Sequence, residues 1–168
     1  SRRLEAESAF RENEKKYRTL FNHIVDPVFI IDRKSHHFLD CNESVEKVYG
    51  YTRDEIRTMT PMDLHPEDEH ASVKERVSSS SLDTSHSYTH ILKSGNRIRV
   101  EIHSSSFEYQ GSEAMISIVR DITERKRSEE ALRRDAEKDY PERFEKGAMA
   151  SRLLEIAELP LPEDADGG

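Results

Sequence analysis

Apolar positions change period along this chain, and each change predicts an element. Over residues 2–24, Ala6, Phe10, Asn13, Tyr17, Leu20 and Ile24 recur at alternating steps of four and three among Arg, Glu and Lys. That is the seam of an amphipathic helix. It serves either to cover its own domain or to pair with a second chain, and both hold if the helix lies on a sheet and also meets a partner. Phe10, Tyr17, Leu20 and Ile24 are the candidate dimer-seam residues, and Asn13 within the seam trades stability for a single register. Asp26-Pro27 ends the helix, because proline lacks a donor and restricts the residue before it.

A run of short elements follows. VFIID (28–32) reads as a buried strand, Arg33–Ser35 as a turn, and HHFLDC (36–41) as the hairpin partner. Asn42 has the chemistry of an N-cap for a short helix that Gly50 closes. Thr52 and Glu55 make a capping box, and Thr60-Pro61 starts a further turn with proline at the first helical position. Pro66 opens the last of these helices, with Glu67, Asp68 and Glu69 where the helix dipole favours acids and His70, Val73 and Val77 along one face. The serine run 78–81 reads as an exposed linker.

Period two then takes over. His86, Tyr88, His90 and Leu92 alternate through 85–93, Lys93–Asn96 is a turn, and Ile98, Val100 and Ile102 alternate into 97–107. After a turn at Tyr109–Ser112, residues 114–119 carry apolar groups on both faces, which suits a strand covered on each side. This strand passes without slack through Asp121-Ile122-Thr123 into a charged helix, Asp121 and Glu124 having helix-start spacing. Two strands, several short helices and three strands give an α+β domain with one antiparallel sheet. The predicted organisation is an N-terminal dimerisation helix over 1–24, a domain over 25–123, an outgoing helix over 124–140, and a tail over 141–168. In that tail Pro141 interrupts the helix, 142–158 form another amphipathic helix, and LPLPEDADGG is acidic and disordered. The absent initial Met and the SRLLEIAELPLPED string suggest a piece of a longer protein, cut before its next module.

Charge sharpens the division. Ten of residues 1–24 and seventeen of residues 121–146 are charged, against 27 of the 96 between 25 and 120. An ordinary globular middle is thus flanked by two charged helices. The net charge of −8 argues against nucleic acid as a partner. No apolar run suits a membrane span, so this segment is expected to make no membrane contact. The single cysteine fits a reducing cytoplasm, although the parent protein could be membrane-anchored through other segments.

These pieces together resemble a PAS domain. The likeness is carried by KKYRTLFNHIVDPVFIID, CNESVEKVYGYTRDEI, DLHPED, KSGNRIRVEI and the closing RDITERKRSEEALR, and covers roughly residues 10–134. It implies a five-stranded antiparallel sheet with short helices over one face, a small internal pocket, and flanking helices that form a parallel dimer. It also implies a sensory module of a signalling protein, a histidine kinase above all, with a downstream output domain in cis. The suggested signal path runs from the last strand through Asp121, Ile122 and Thr123 into the helix from Glu124, whose seam (Ile122, Leu132, Ala136, Tyr140) is thin.

Candidate pocket residues are His86, Tyr88 and His90 from one strand, with Ser104 and Ser117 from its neighbours. Two histidines on that face depart from the family's usual apolar residues and point to an anion or pH-responsive pocket, histidine being the side chain that titrates near neutrality. A strand phase off by one would instead turn Ser87, Thr89 and Ile91 inward. His70 is the positional match for the axial ligand of haem-carrying relatives, but its acidic neighbours suit a surface or capping role. His65 and His70 stand five apart, too far around a helix for a two-histidine metal face. The Asn-Cys-Arg motif of flavin-type light sensors is absent, and Cys41 reads as a small buried residue. No metal is expected, and the cofactor expectation is none or an unknown small molecule. There is no Gly-x-Ser-x-Gly elbow, Walker loop, phosphoacceptor helix or cyclase signature, so no enzymatic activity is expected of this chain. The competing readings are a ligand-free dimerisation scaffold and a haem-based gas or redox sensor.

Overall fold

In the computed structural model, which describes residues 1–79 and 85–139, helix α1 (Arg2–His23) leads into the hairpin of β1 (Val28–Asp32) and β2 (Phe38–Cys41). Four short helices follow: α2 (Glu43–Tyr49), α3 (Arg53–Arg57), α4 (Pro61–Leu64) and α5 (His70–Ser78). Strands β3 (Ser85–Ile91), β4 (Arg97–Tyr109) and β5 (Ser112–Asp121) complete the domain, and helix α6 (Thr123–Asp139) follows. The tail expected over 141–168, and Tyr140 of the outgoing seam, lie outside the described residues, as does part of the serine linker. Residues up to Thr123 form one unit and those from Glu124 a second.

The five strands make one sheet in the order β2-β1-β5-β4-β3, with every pairing antiparallel. Alternation sorts the residues onto two faces. Phe29, Ile31, Met115, Val119, Val100 and Tyr88 meet Val45, Tyr49, Ile56, Leu64, Val73 and Val77 of the helical layer in the main core. Val28, Ile30 and Ala114 point the other way and are covered by Phe21 of α1. β5 is thus covered on both faces only over Ala114–Ser117, and Ile118 on the outer face is exposed, short of the strand covered on each side through 119 that its apolar pattern suits. Each large apolar side chain buried in this way contributes roughly 1.5–3 kcal/mol.

Local signals set the ends of the elements. Gly50 takes φ +81° after α2, and its N–H donates to Glu46 O. Thr52 and Glu55 form the reciprocal box of α3, at 3.2 and 2.8 Å. Gln110 and Gly111 both have positive φ, and Tyr109 pairs with Ser112, giving the two-residue turn whose twist suits a β4–β5 hairpin.

Three boundaries differ from the sequence reading. Asn42 stands at the N-cap of α2 but does not cap it. Its Oδ1 accepts from Val28 N at 2.9 Å, and its Nδ2 donates to Asp26 O and Ile24 O, clamping the α1–β1 connection to α2. Residues 67–69 form a 3₁₀ turn, and the α-helix starts only at His70. The final helix starts at Thr123, one residue before the expected 124, and β5 keeps pairing with β4 as far as Asp121, one residue from Ile122. The Asp121 carboxylate accepts from Thr123 N and Oγ at 2.9 and 2.6 Å.

α1 is fastened to the sheet at its C-terminal end only. Phe21 is buried and stacks on Tyr17 at 5.3 Å, and Arg18 donates to Asp40 at 3.3 Å. Asp40 is fully buried and also accepts from Arg53 of α3 at 2.7 Å and from Cys41 N at 2.9 Å. Desolvation, reinforced by the Asp40 charge, pushes the buried Cys41 thiol up to about 11. Phe10 and Leu20 remain 70% and 71% exposed, with Ile24 and Tyr17 partly so.

Candidate functional site

Between the sheet and helices α4 and α5 lies a cavity of about 40 Å³. At roughly 10–15 Å³ per enclosed water it has space for two or three water-sized groups. Four of the five side chains expected to form the pocket line it: Tyr88, His90, Ser104 and Ser117. The strand phase is the one that turns Tyr88 and His90 inward, both being buried. Ser104 and Ser117 are cross-strand partners whose hydroxyls meet at 2.9 Å.

His86 is the exception. It shares the phase of Tyr88 and His90 but lies exposed, off the cavity wall. Arg76 of α5, itself a lining residue, meets the His86 ring nitrogen, and the ring stacks on Tyr88 at 6.2 Å. β3 is exposed over its first three residues and becomes buried only from Tyr88, so correct phase alone does not bury the side chain.

Two residues that sequence reasoning left out of the site complete it. His65 follows α4 in an extended link and is buried against His90, the Nε2 atoms 3.0 Å apart. Tyr49, the last residue of α2, reaches His90 Nδ1 through its hydroxyl at 2.5 Å. His65 Nδ1 donates to Pro61 O at 2.6 Å. Three side chains and one carbonyl thus form a continuous buried chain of hydrogen bonds. Burial disfavours charge on each member. It lowers His65, against the opposing effects of the Pro61 bond and the Glu69 carboxylate, and it lowers His90 well below the ordinary histidine range, helped by His65. It raises the Tyr49 phenol far above its usual value, with Asp121 adding to the effect. Both imidazoles are therefore neutral at neutral pH.

His70 occupies the first turn of α5, with Nε2 donating to His65 O at 2.9 Å, and it does not line the cavity. Among the described residues no group of three or more His, Cys, Asp or Glu could hold a metal ion. Nor is any helix among them long and apolar enough to cross a membrane.

The joint after β5 is built from main-chain bonds. Ile122 is buried, and its N–H donates to Arg99 O at 2.8 Å. Arg99 N donates to Thr123 Oγ at 2.9 Å, so one residue of β4 holds both sides of the junction. The Arg99 guanidinium donates to Thr89 Oγ at 2.8 Å and lies 4.0 Å from Glu69, whose carboxylate also accepts from Thr89 N. In α6, taken by itself, Leu132 is exposed and i,i+4 ion pairs such as Arg125–Glu129 and Arg133–Glu137 run along the surface.

A family model described as "PAS domain" matches residues 25–124. The methyl sulfide methyltransferase-associated sensor of Methanosarcina acetivorans is 31% identical over 132 residues, covering 77% of this chain. The chain spans 13% of that relative's length. Among solved structures, the PAS domain of an HTR-like protein from Haloarcula marismortui superposes with a TM-score of 0.63 at 20% identity, over 71% of this chain and 99% of that one. A domain of the sensory box sensor histidine kinase/response regulator from Geobacter sulfurreducens gives 0.51 at 27% identity, over 65% and 94%. With the sheet order, the helical layer and the family match all in agreement, the chain belongs to the PAS domain family of sensor modules in signalling proteins.

Proposed function

We propose that this domain is the sensory and dimerising module of a histidine kinase, and that it reads the state of its inner sheet face and passes it through Asp121-Ile122-Thr123 to the helix from Glu124. The observation that carries this reading is the junction itself. Arg99 binds Ile122 and Thr123 through its main chain while its side chain meets Thr89 and approaches Glu69. A change in how α5 sits on β3 is thereby felt where the outgoing helix begins. The 31% identity to a protein named as a sensor supports the sensory part. Phe10 and Leu20, exposed on a helix that is fastened to the sheet only at its C-terminal end, support a homodimer seam along α1.

The cavity limits what can be sensed in this state. A ligand of two or three heavy atoms fits about 40 Å³, and a larger one must first move α4 and α5 off the sheet. That small volume, with both nitrogens of His90 already bonded, also favours a second reading in which the domain is a ligand-free scaffold. Native mass spectrometry of the full chain, with melting temperatures in the presence of small neutral solutes, separates the two. A bound occupant, or a solute that raises the melting temperature and changes hydrogen exchange at Ile122 and Thr123, supports sensing. No occupant and no response leaves the scaffold, and a Soret band would establish haem instead.

A further inference from the structure

The buried chain from Tyr49 to Pro61 carries hydrogen in one direction only. Pro61 O can only accept, so His65 Nδ1 bears the hydrogen and, in the neutral ring, Nε2 is bare. His90 Nε2 must then be the donor between the rings, which leaves His90 Nδ1 bare and makes the Tyr49 hydroxyl the donor at the far end. Every polar atom in the chain has one role, and no ring nitrogen is spare.

One more proton can therefore enter only at a nitrogen that is already accepting. On His90 it places an Nδ1–H against the Tyr49 hydroxyl. On His65 it places an Nε2–H against His90, whose own hydrogen has to reappear at Nδ1, again facing that hydroxyl. Both routes end at one atom: Tyr49 Oη must stop donating and start accepting, and its hydrogen must turn to a new acceptor. One proton is taken from solvent, one positive charge is gained, and no bond between heavy atoms changes. A second proton would put two cationic rings 4.4 Å apart between centroids, so the pair stops at one.

The charged groups around the pair act on its charge in both directions, against a burial that disfavours it. From the turn before α5, Glu69 attracts a positive His65, while His70, which bonds His65 O, opposes it. From α5 Arg76 lines the same cavity, and from β3 the Tyr88 ring meets His65 edge-on at 5.2 Å. Asp121 acts on Tyr49. Tyr49 is also linked onward, since its carbonyl accepts from Lys93 N at 2.9 Å in the β3–β4 turn. β4 in turn holds Ile122 and Thr123 through Arg99.

We propose that the His65–His90 pair is a proton-responsive switch, taking up one shared proton inside the intact fold and passing the event on by reversing Tyr49 from donor to acceptor. The output rests on the sensory reading above; the proton chemistry does not. The test is long-range ¹⁵N–¹H spectroscopy of the imidazoles in the full chain, from about pH 8 to about pH 5, with the Lys93, Ile122 and Thr123 amides followed in parallel. The expected result is opposite tautomers at high pH, Nδ1–H in His65 and Nε2–H in His90. Acidification should then give a single protonation step common to both rings, with the three amides shifting at the same midpoint. The His90→Gln variant should lose that step at the amides, while His103→Gln, on the exposed face of β4, should keep it. If His90→Gln does not fold, the wild-type titration decides alone. Identical tautomers, independent titration of the two rings, rings neutral until the chain unfolds, or amides that stay still while the rings titrate would each overturn the proposal. Amides that respond to a bound solute but not to protons would refute the switch and leave the sensory reading standing. Amides that respond to neither would refute both.

Discussion

Acidifying the protein from about pH 7.5 to about pH 5 is expected to cost up to about 4 kcal/mol of folding stability. The perturbation acts on His65 and His90, both buried and both held below the ordinary histidine value, chiefly by loss of solvation. The unfolded chain binds protons at these sites near pH 6.5, before the folded chain does. Stability is therefore whole above about pH 6.5 and is lost as pH falls below it, by about 1.4 kcal/mol per pH unit for each ring that stays neutral. At pH 5 that is about 2 kcal/mol per ring, and about 4 kcal/mol for the two is the upper bound. If the pair takes up one shared proton while folded, the slope below the midpoint of that uptake falls to that of one ring, and the loss at pH 5 lies between about 2 and about 4 kcal/mol. The carboxylate of Glu55 is lowered by its hydrogen bond to Lys93, so its contribution is present above its ordinary value and falls away only below it, outside this window. Urea unfolding followed by circular dichroism, at fixed ionic strength and several pH values, measures the slope. His90→Gln should flatten it. A free energy independent of pH between about 7.5 and 5.5, or one rising on acidification, would refute the assignment of two buried neutral rings.

Other expectations are more local. Asn42→Ala leaves Val28 N without its partner and removes two further bonds, so a loss of about 2–4 kcal/mol is expected, seen as a lower urea midpoint at unchanged slope. Cys41, with its thiol raised to about 11, should react with iodoacetamide at about pH 8 at least a hundredfold more slowly in the folded than in the urea-unfolded chain; equal rates would show the site to be open. Thr123→Val removes the acceptor for Arg99 N at a cost of about 1 kcal/mol, and amide exchange at Arg99 should accelerate about fivefold or more. Phe10→Ser combined with Leu20→Ser should shift sedimentation toward the monomer, without changing ring tautomers or core melting at low concentration, if α1 is the seam.

The order of strands and short helices was legible because each element carries its own local signal. Thr52 and Glu55 announce α3, Gly50 closes α2, and the alternation of Tyr88 and His90 sets the face of β3. The site was legible only in part. His90, Tyr88, Ser104 and Ser117 sit on strands, where a period of two tells which side a residue faces. His65 lies in a connection with no period at all, and Tyr49 reads as one more apolar position on a short helix. Their meeting depends on how the helical layer settles on the sheet, which no local window records. His86 shows the converse: the right phase was there, but the ring sits on the exposed first residues of β3, against Arg76. On α1 the visible seam of Phe10, Tyr17, Leu20 and Ile24 missed the anchor, because Phe21 and Arg18 earn their role from an outer sheet face and a buried acid contributed by distant strands.

That anchor bears on how much chain the fold needs. The family match begins at residue 25, after α1 has ended. A version trimmed there would lose the lid over Val28, Ile30 and Ala114, and Asp40 would keep one guanidinium instead of two. The stretch that supplies the buried contacts of the domain therefore starts upstream of the stretch that marks the family. The last two turns of the entering helix are structural parts of the domain, whatever the turns before them are free to embrace.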